Sequence, residues 1–194
     1  MSERRKFYQD DLEKYFAVEY LEKTIIDPEV LPLLENYDIT QDPEFNDENV
    51  KRRIELHSHF FDRGFKEDRR VYAAVCSPEM GYGAFADVYI PAWTVIGEYV
   101  GIITNKKANT DYAWIYHSEP KDSEGNTVLL RVDARTRGNM TRFLNHSDDP
   151  NCSVIHVPYK NRWRTLYLTN TNILPDQELT VFYGRNYWKE REKK

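Results

Sequence analysis

Cysteine is scarce in this chain of 194 residues, which contains only Cys76 and Cys152. Two cysteines cannot form a disulfide framework or supply the ligands of a cysteine-based zinc site. His57, His59 and Asp62 offer no alternative ligand set, because helical positions two apart point in different directions. The sequence therefore predicts no metal site and a location inside a cell, where thiols stay reduced.

Long apolar runs and a surplus of basic residues are also missing. No run approaches the roughly 20 apolar residues of a membrane-spanning helix, and residues 1–11 lack the apolar centre of a signal peptide. The formal net charge is -5 at pH 7, whereas the phosphates of a nucleic acid require a basic face. We therefore expect neither membrane binding nor direct, sequence-specific recognition of nucleic acid.

The residues that are present describe a globular protein with an uneven charge distribution. Apolar residues make up 40% of the chain and charged residues 30%. Negative charge is concentrated in residues 10–48, where 13 Asp and Glu side chains are accompanied by only Lys14 and Lys23. Such a segment is compatible with a solvated surface and with the attraction of a basic protein tail. The composition leaves both interpretations open.

The first 70 residues have the periodicity of amphipathic helices, because apolar residues recur mostly at three- and four-residue steps. One helix is predicted over residues 12–25, and a short second helix follows Asp27. A third helix is predicted to begin near Asp47 and to end at Gly64. The apolar stripes of residues 1–70 must be buried somewhere. We therefore expect this segment to dock onto another surface or to form a homodimer.

Beyond residue 70 the pattern changes to short runs that are rich in β-branched and aromatic residues and mostly bounded by Gly, Pro, Asn or Asp. These runs predict strands at Val71–Val75, Ala86–Ile90, Thr94–Val100, Val128–Val132 and Arg164–Thr169. The segment 105–116 favours neither helix nor strand. We expect a β-rich domain over residues 71–188, followed by a charged tail at residues 189–194.

Four short motifs follow one another in the β-rich region. They are Gly81–Ala86, Gly97–Gly101, Arg142–Cys152 and Glu178–Gly184. In the third motif the polar run Asn-His-Ser directly follows an apolar Phe-Leu pair, and short polar side chains at the edge of a core need hydrogen-bonding partners. A single Gly-x-Gly motif is common in turns, but four motifs in one order over about a hundred residues are specific.

This arrangement resembles the SET-domain family of protein lysine methyltransferases over roughly residues 71–188. The resemblance implies a mainly β fold with some α, made of several short β-sheets with a C-terminal pseudoknot and preceded by a helical N-terminal segment. In the pseudoknot, residues 145–147 would thread against residues 178–184, which is an exception to the rule that chains do not thread loops. The polar run would find its partners there.

The resemblance also implies S-adenosylmethionine as the cofactor and a lysine in a histone or another basic protein tail as the substrate. The implied activity is the transfer of a methyl group to the lysine amine. A second hypothesis is a SET-like protein-binding module with weak or no turnover. The resemblance is compatible with the nucleus, with the cytoplasm, and with a secreted effector that acts in a host nucleus.

By matching position, the resemblance assigns two tyrosines to catalysis, Tyr183 and Tyr99. The hydroxyl of Tyr183 would lie near the cofactor sulfur and align the lysine amine. The cofactor-binding residues would be Gly81, Tyr82, Gly83, Tyr112, Arg142, Phe143, Asn145, His146, Tyr183 and Trp188. The two glycines are equally compatible with a tight turn, and His146 is assigned to binding rather than to proton transfer.

This chain departs from common patterns of the family in two ways. It lacks a cysteine-zinc module, so the resemblance implies a short C-terminal helix that lays the ring of Tyr187 or Trp188 over the adenine, unless the tail is mobile. Many relatives carry Phe or Tyr at the position of Val181, which helps to decide how many methyl groups the pocket admits. Val154 offers no ring to compensate. A slightly roomier pocket is implied, without a fixed number of methyl groups.

Overall fold

The computed structural model describes residues 4–63, 69–107, 111–184 and 187 of the chain. Most of its helices lie in the N-terminal segment, as predicted. The α-helices are α1 (Leu12–Phe16), α2 (Leu31–Glu35) and α3 (Glu48–Arg63), and short 3-10 helices span Gln9–Asp11, Ile39–Gln41, Pro43–Asn46 and Met140–Phe143. No helix within these described ranges is long and apolar enough to cross a membrane.

Short strands make up most of the remaining regular structure. They are β1 (Glu19–Tyr20), β2 (Ile25–Ile26), β3 (Val71–Ser77), β4 (Gly81–Ala86), β5 (Val95–Glu98), β6 (Ile102–Thr104), β7 (Ala113–Ile115), β8 (Arg131–Asp133), β9 (Arg137–Gly138), β10 (Asn145–His146), β11 (Cys152–Tyr159), β12 (Arg162–Thr169) and β13 (Glu178–Val181). They form small sheets with the orders β1-β9, β10-β13-β4-β3, β11-β12-β5 and β2-β6-β8-β7. The predicted fold class, a mainly β protein of several short sheets, is confirmed.

The helix predicted over residues 12–25 is wrong beyond its first part. Helix α1 ends at Phe16, because Ala17 adopts a left-handed conformation with a φ of 52°. The chain then pairs in parallel with two later segments, β1 with β9 and β2 with β6. These pairings and the packing of the core use the apolar residues that gave the helical spacing. Tertiary contacts of this kind override local propensity.

The second and third predicted helices are confirmed. Asp27 precedes α2, and its carboxylate accepts the backbone N–H of Glu29 at 3.1 Å. Asp47 precedes α3 and accepts the N–H of Asn49 at 2.7 Å, which is the pattern of an N-terminal cap. The predicted end of α3 at Gly64 lies outside the described residues.

The strand predictions are partly right. Those at the positions of β3, β5 and β12 are confirmed with small changes of length. The strand predicted at Ala86–Ile90 is wrong, because β4 ends where that strand was expected to begin. One residue beyond β4, the N–H of Asp87 still donates to the carbonyl oxygen of Arg70 at 2.7 Å, and its carboxylate binds Lys6 at 2.6 Å.

Other strands were shifted or missed. The strand predicted at Val128–Val132 is observed at Arg131–Asp133, as β8. The ambiguous segment 105–116 contains β7, and β11 was not predicted. Strand β11 contains Pro158, which is tolerated because β11 lies at the edge of its sheet. Because the run contains a proline and a histidine, β11 could not be recognised as a strand from the sequence.

The N-terminal segment and the β-rich region share one apolar core. Phe7 and Ala73 exchange two backbone hydrogen bonds, of 2.7 and 2.9 Å. Leu12 and Leu34 are fully buried in the same cluster as Leu144 of the third motif. The core of this chain therefore covers a large part of the apolar stripes of residues 1–70.

Arg164 of β12 links helix α3 to the centre of the fold. Its guanidinium lies 4.8 Å from the ring centre of Phe61 and forms an ion pair with Glu98 of β5. Glu98 is only 2% exposed, and burial raises the pKa of its carboxyl although Arg164 acts in the opposite direction. Because Tyr99 follows Glu98 directly, this ion pair connects the N-terminal segment with the strand that precedes a predicted site residue.

Replacing Glu98 with alanine is predicted to lower the free energy of unfolding by about 3–5 kcal/mol, because Arg164 would keep a largely buried charge without its partner. Urea unfolding followed by circular dichroism measures the change. Glu19→Ala is the matched control, since the ion pair of Glu19 with Arg137 is about half exposed and should contribute about 1 kcal/mol or less. Equal losses in the two variants would contradict this account.

Candidate active site

Two distant segments of the chain run side by side at the centre of the site. Asn145 and His146 form β10 and pair in parallel with Thr180 and Val181 of β13. The pairing continues for one more residue, where the N–H of Ser147 donates to the carbonyl oxygen of Val181 at 3.0 Å. The predicted contact between residues 145–147 and residues 178–184 is therefore confirmed.

The side chain of Asn151 fastens the same two segments. Its Nδ2 donates to the backbone carbonyl oxygen of Glu178 at 2.7 Å, and its Oδ1 accepts the N–H of Thr180 at 2.9 Å. One carboxamide thus satisfies a donor and an acceptor of β13, as the backbone of a neighbouring strand would. The polar residues after Asn-His-Ser extend the pairing beyond the short strand β10.

The side chain of Asn145 reaches the strand that carries the Gly-x-Gly motif. Its Nδ2 donates to Glu178 Oε1 at 2.9 Å and to the carbonyl oxygen of Tyr82 at 3.2 Å. The thiol of Cys76 donates to the same carboxylate at 3.2 Å. Burial and the neighbouring Glu178 raise the pKa of Cys76 to about 12, so this thiol stays protonated. Glu178 is therefore the acceptor that orients the amide of Asn145.

The two glycines of this motif have different roles in the structure. A Cβ added at Gly83 would lie 2.4 Å from Cys76 Sγ, 2.5 Å from Glu178 Oε1 and 2.9 Å from Asn145 Nδ2. A larger residue at position 83 would therefore force these side chains to shift, a reason for glycine that the sequence did not suggest. Gly81 has a φ of +74° and nothing within 4 Å of its Cβ position. This conformation fits a turn and leaves open space beside the strand.

The imidazole of His146 holds the backbone of Tyr183. Its Nδ1 accepts the N–H of Tyr183 at 3.2 Å, and its Nε2 lies 3.2 Å from Oδ1 of Asp148. In the neutral tautomer that fits this network, Nε2 carries the proton and donates it to Asp148. The lone pair of Nδ1 then accepts the N–H of Tyr183, so the role of His146 is to hold the backbone of this tyrosine in place.

Tyr183 is largely buried at the end of β13. Its hydroxyl donates to the carbonyl oxygen of Leu144 at 2.8 Å. Burial, assisted by the nearby hydroxyls of Tyr187 and Tyr112, raises the pKa of Tyr183. The phenol is therefore neutral, and its proton is directed to the segment that precedes β10. An ionised tyrosine acting as a base does not fit this environment.

Four rings form one aromatic group next to Tyr183: Tyr99, Trp114, Tyr167 and Tyr183. The ring centre of Trp114 lies 6.0 Å from that of Tyr183, 6.2 Å from that of Tyr99 and 6.3 Å from that of Tyr167. The hydroxyl of Tyr99 donates to the carbonyl oxygen of Tyr112 at 2.6 Å. The structure thus places the two predicted catalytic tyrosines on the same aromatic group, although the ring of Trp114 stands between them.

Trp114 and Tyr167 were missed by the reading of the sequence. Trp114 lies on β7 in the ambiguous segment 105–116, and its closeness in the chain to Tyr112, two residues earlier, was the available signal. Tyr167 lies on β12, where most residues are buried on both faces. Without alternation of polar and apolar residues, the pattern does not reveal which side chains of a strand face a site.

Arg142 holds Tyr112 in place. Its guanidinium carbon lies 3.7 Å from the ring centre of Tyr112, within the range of a cation–π contact. Its Nε donates to the carbonyl oxygen of Ala134 at 2.9 Å, and Nη2 donates to that of Arg135 at 3.2 Å. Because Arg142 is only 8% exposed, it acts mainly as a structural support for the predicted cofactor-binding tyrosine.

The N-terminal segment contributes an aromatic layer behind the Gly-x-Gly strand. Phe16 packs 4.8 Å from the ring centre of Tyr82 and 4.9 Å from that of Phe143. Phe143 is 2% exposed, whereas Tyr82 is 38% exposed. Phe143 therefore supports the site from the core, and Tyr82 lies at the surface. The contact of Phe16 with these two rings could not be predicted from the sequence, because it depends on tertiary packing.

The C-terminal end of the site is described at a single residue, Tyr187. Its ring centre lies 4.6 Å from that of Tyr183 in an edge-to-face contact. Trp188, the predicted cover of the adenine, lies outside the described residues, as does the rest of the predicted C-terminal helix. The assignment of Trp188 therefore stays a prediction.

Comparison with known proteins identifies the family and relatives of this chain. The model of the SET domain family matches residues 81–184. "Histone-lysine N-methyltransferase, H3 lysine-36 specific" of Cryptococcus neoformans is 31% identical over 122 residues, which cover 60% of this chain and 15% of that protein. Histone-lysine N-methyltransferase EHMT1 of Mus musculus is 28% identical over 122 residues, which cover 59% of this chain and 9% of that protein. The chain therefore spans a small part of the length of these curated relatives.

Solved structures show the same fold. A crystal structure of ATXR5 in complex with histone H3.1 mono-methylated on R26 has a TM-score of 0.68 at 16% identity, and the match covers 91% of this chain and 85% of that one. A structure of KRYPTONITE in complex with mCHG DNA and SAH has a TM-score of 0.59 at 21% identity and covers 87% and 42%. The family match spans more than half of the chain and includes both paired segments, β10 and β13. This chain therefore belongs to the SET-domain family.

Proposed function

We propose that this chain transfers a methyl group from S-adenosylmethionine to the side-chain amine of a lysine, with a histone as the protein substrate. The observation that carries the proposal is the position of the Tyr183 hydroxyl. It is held by the carbonyl oxygen of Leu144 where β10 meets β13, next to the aromatic group. Membership of the SET-domain family and the names of the relatives, which are histone-lysine methyltransferases, favour the same reaction.

The residues around the Gly-x-Gly strand fit this cofactor, which has a charged amino-acid end and a flat adenine. The open space at Gly81 gives access to the backbone, and Tyr82 and Asn145 lie beside it with part of their surface exposed. The ring of Tyr112, supported by Arg142, offers a flat face. The KRYPTONITE structure, which has a related fold, was solved with SAH. We therefore assign the cofactor to this side of the paired strands.

The chemistry requires a neutral amine and a fixed direction of attack. When bound, S-adenosylmethionine supplies a methyl carbon that moves to the lysine nitrogen, while the electron pair of the broken carbon–sulfur bond stays on sulfur. Lysine in water has a pKa near ~10.4, and burial among aromatic rings lowers this value because it disfavours the charged form.

Tyr183 contributes to this reaction as a neutral phenol. Its proton is donated to the carbonyl oxygen of Leu144, so its oxygen lone pairs are left to accept an N–H of the amine. An amine held in this way directs its own lone pair along one line, which is the kind of alignment that accelerates a transfer reaction. The carboxyl ends of the paired strands thus position the nucleophile without abstracting its proton.

A basic protein tail suits the charge of this chain. The formal net charge is -5, and residues 10–48 alone have 13 acidic side chains against two lysines, a local balance of -11. Opposite charge accelerates the encounter with a lysine-rich tail. A histone substrate would also place the protein in a nucleus. The possible homodimer through residues 1–70 stays a separate prediction, and light scattering on the purified protein distinguishes it from a monomer.

Tyr183→Phe is predicted to reduce turnover by about 100-fold or more, because one positioned hydrogen bond to the reacting group is lost. The affinity for the cofactor should stay within about twofold of the wild type, since the phenyl ring keeps its packing. Transfer of labelled methyl groups to core histones measures the first quantity, and calorimetric titration with S-adenosylhomocysteine measures the second.

Tyr72→Phe is the matched control for this experiment. The hydroxyl of Tyr72 donates to Asp176, and its ring packs with Phe85 in a separate apolar cluster. We expect turnover close to that of the wild type. Wild-type activity in Tyr183→Phe would remove Tyr183 from the mechanism. Cofactor binding by the wild-type protein without transfer to any histone would favour a binding module over an enzyme.

Gly83→Ala is predicted to weaken binding of S-adenosylhomocysteine by about tenfold and to lower the free energy of unfolding by about 1–3 kcal/mol. The added Cβ would displace Glu178 and Asn145, and overpacking of this size has such a cost. Gly125→Ala is the control, because the position of its Cβ is open and Gly125 lies in a loop between strands. It should lose about 1 kcal/mol of stability, owing to its positive φ, and keep its affinity. Equal affinities of the two variants would contradict the assignment.

A further inference from the structure

We infer that Cys76 is a positioning residue for the cofactor, an inference that rests on the proposed function. Its thiol donates to Glu178 Oε1 at 3.2 Å, and the same oxygen accepts a hydrogen bond from Asn145 Nδ2 at 2.9 Å. One carboxylate oxygen thus joins β3, which carries Cys76, to β13 and β10. Cys76 holds the carboxylate in place, and the carboxylate holds the amide of Asn145.

The orientation of the Asn145 side chain follows from its two acceptors. Glu178 Oε1 and the carbonyl oxygen of Tyr82 both accept hydrogen bonds, so only the Nδ2 end of the amide fits beside them. The Oδ1 end is therefore turned away from these two oxygens, and among the described residues no hydrogen bond to Asn145 Oδ1 is found. An amide oxygen held in this way is available to an N–H donor of the cofactor.

The surroundings of Cys76 give its sulfur a defined place. The pairing of β3 with β4 shifts by one residue between Val75 and Ser77, so Cys76 has no residue directly opposite. Irregularities of this kind are common beside active sites. The sulfur lies against Gly83, only 2.4 Å from the position that a Cβ there would take. The absence of a side chain at Gly83 therefore leaves the room in which the thiol reaches Glu178.

Cys76 acts as a donor because its thiol stays protonated. Burial and the neighbouring Glu178 raise the pKa of this thiol to about 12. A thiolate at this place would lose the hydrogen bond and would face a carboxylate of the same charge. Alanine at position 76 would remove the donor and leave a void beside Gly83, whereas serine would keep a donor at the same position.

Cys76→Ala is predicted to weaken binding of S-adenosylhomocysteine by about tenfold, because Glu178 loses a donor and Asn145 gains freedom to turn. Cys76→Ser should bind within about threefold of the wild type, since its hydroxyl replaces the thiol as a donor. Calorimetric titration measures both affinities. In methyl transfer to core histones, the KM for S-adenosylmethionine should rise in Cys76→Ala, while kcat should stay within about threefold of the wild type because Tyr183 is untouched.

Tyr72→Phe is the matched control for these variants. Tyr72 lies on β3, as Cys76 does, and its hydroxyl donates to the carboxylate of Asp176. Removing that donor should leave the affinity for S-adenosylhomocysteine unchanged. Urea unfolding followed by circular dichroism shows whether Cys76→Ala folds. If it shows no cooperative transition, Cys76→Ser and the alkylation of Cys76 in the next experiment carry the test.

Alkylation of Cys76 tests its contact with Glu178 without any measurement of activity. Iodoacetamide forms a bond between the sulfur and its methylene carbon, and iodide and the thiol proton are released. Mass spectrometry distinguishes labelled Cys76 from Cys152, which is only 1% exposed. Glu178→Gln should speed the labelling of Cys76 by about tenfold at about pH 8, because a neutral amide disfavours the reactive thiolate less than a carboxylate does.

The possible failures of the inference and of the proposed function are distinguishable. Equal affinities of Cys76→Ala and the wild type would overturn the inference and leave the proposed function intact. Equal losses in Cys76→Ala and Cys76→Ser, an equal loss in Tyr72→Phe, or unchanged labelling in Glu178→Gln would do the same. If the wild-type protein neither binds S-adenosylhomocysteine nor methylates a histone, the proposed function fails, and the inference fails with it.

Discussion

The parallel pairing of β10 with β13 is the contact on which the rest of the site depends. It sets the register in which Asn145 lies opposite Thr180 and His146 lies opposite Val181. Once that register is set, the imidazole of His146 accepts the N–H of Tyr183, and the carbonyl oxygen of Leu144 accepts its hydroxyl. A tyrosine held at both its backbone and its hydroxyl has little freedom to turn. A reaction that depends on alignment requires this restriction.

The N-terminal segment also contributes contacts that support the site. Its strands β1 and β2 pair with β9 and β6, and Phe16 packs behind the Gly-x-Gly strand. Through Phe61, Arg164 and Glu98, helix α3 is connected to the strand that precedes Tyr99. The stability of the fold and the geometry of the site are therefore coupled. Residues 4–63 support the site in addition to any docking function.

The sequence predicted those parts of the fold and site that depend on local chemistry or on the motifs. The paired segments, the cap at Asp47 and the family were found in this way. The helix over residues 12–25 was wrong, because strand pairing with distant residues outweighed its periodicity. Tyr167 was overlooked because β12 is buried on both faces and its alternation is lost. The packing reason for Gly83 depends on three side chains that only the folded chain brings together.

Two tyrosine hydroxyls of the aromatic group have different hydrogen-bonding partners. Tyr183 donates to a backbone oxygen and Tyr167 accepts from an indole, so the two oxygens are fixed by opposite kinds of bond. The most direct measurement of the central claim is mass spectrometry of core histones after incubation with the wild-type protein and S-adenosylmethionine. The account predicts methylated lysine, formed only when the cofactor is present. Unmodified histones, together with calorimetric evidence that the protein binds S-adenosylhomocysteine, would contradict it.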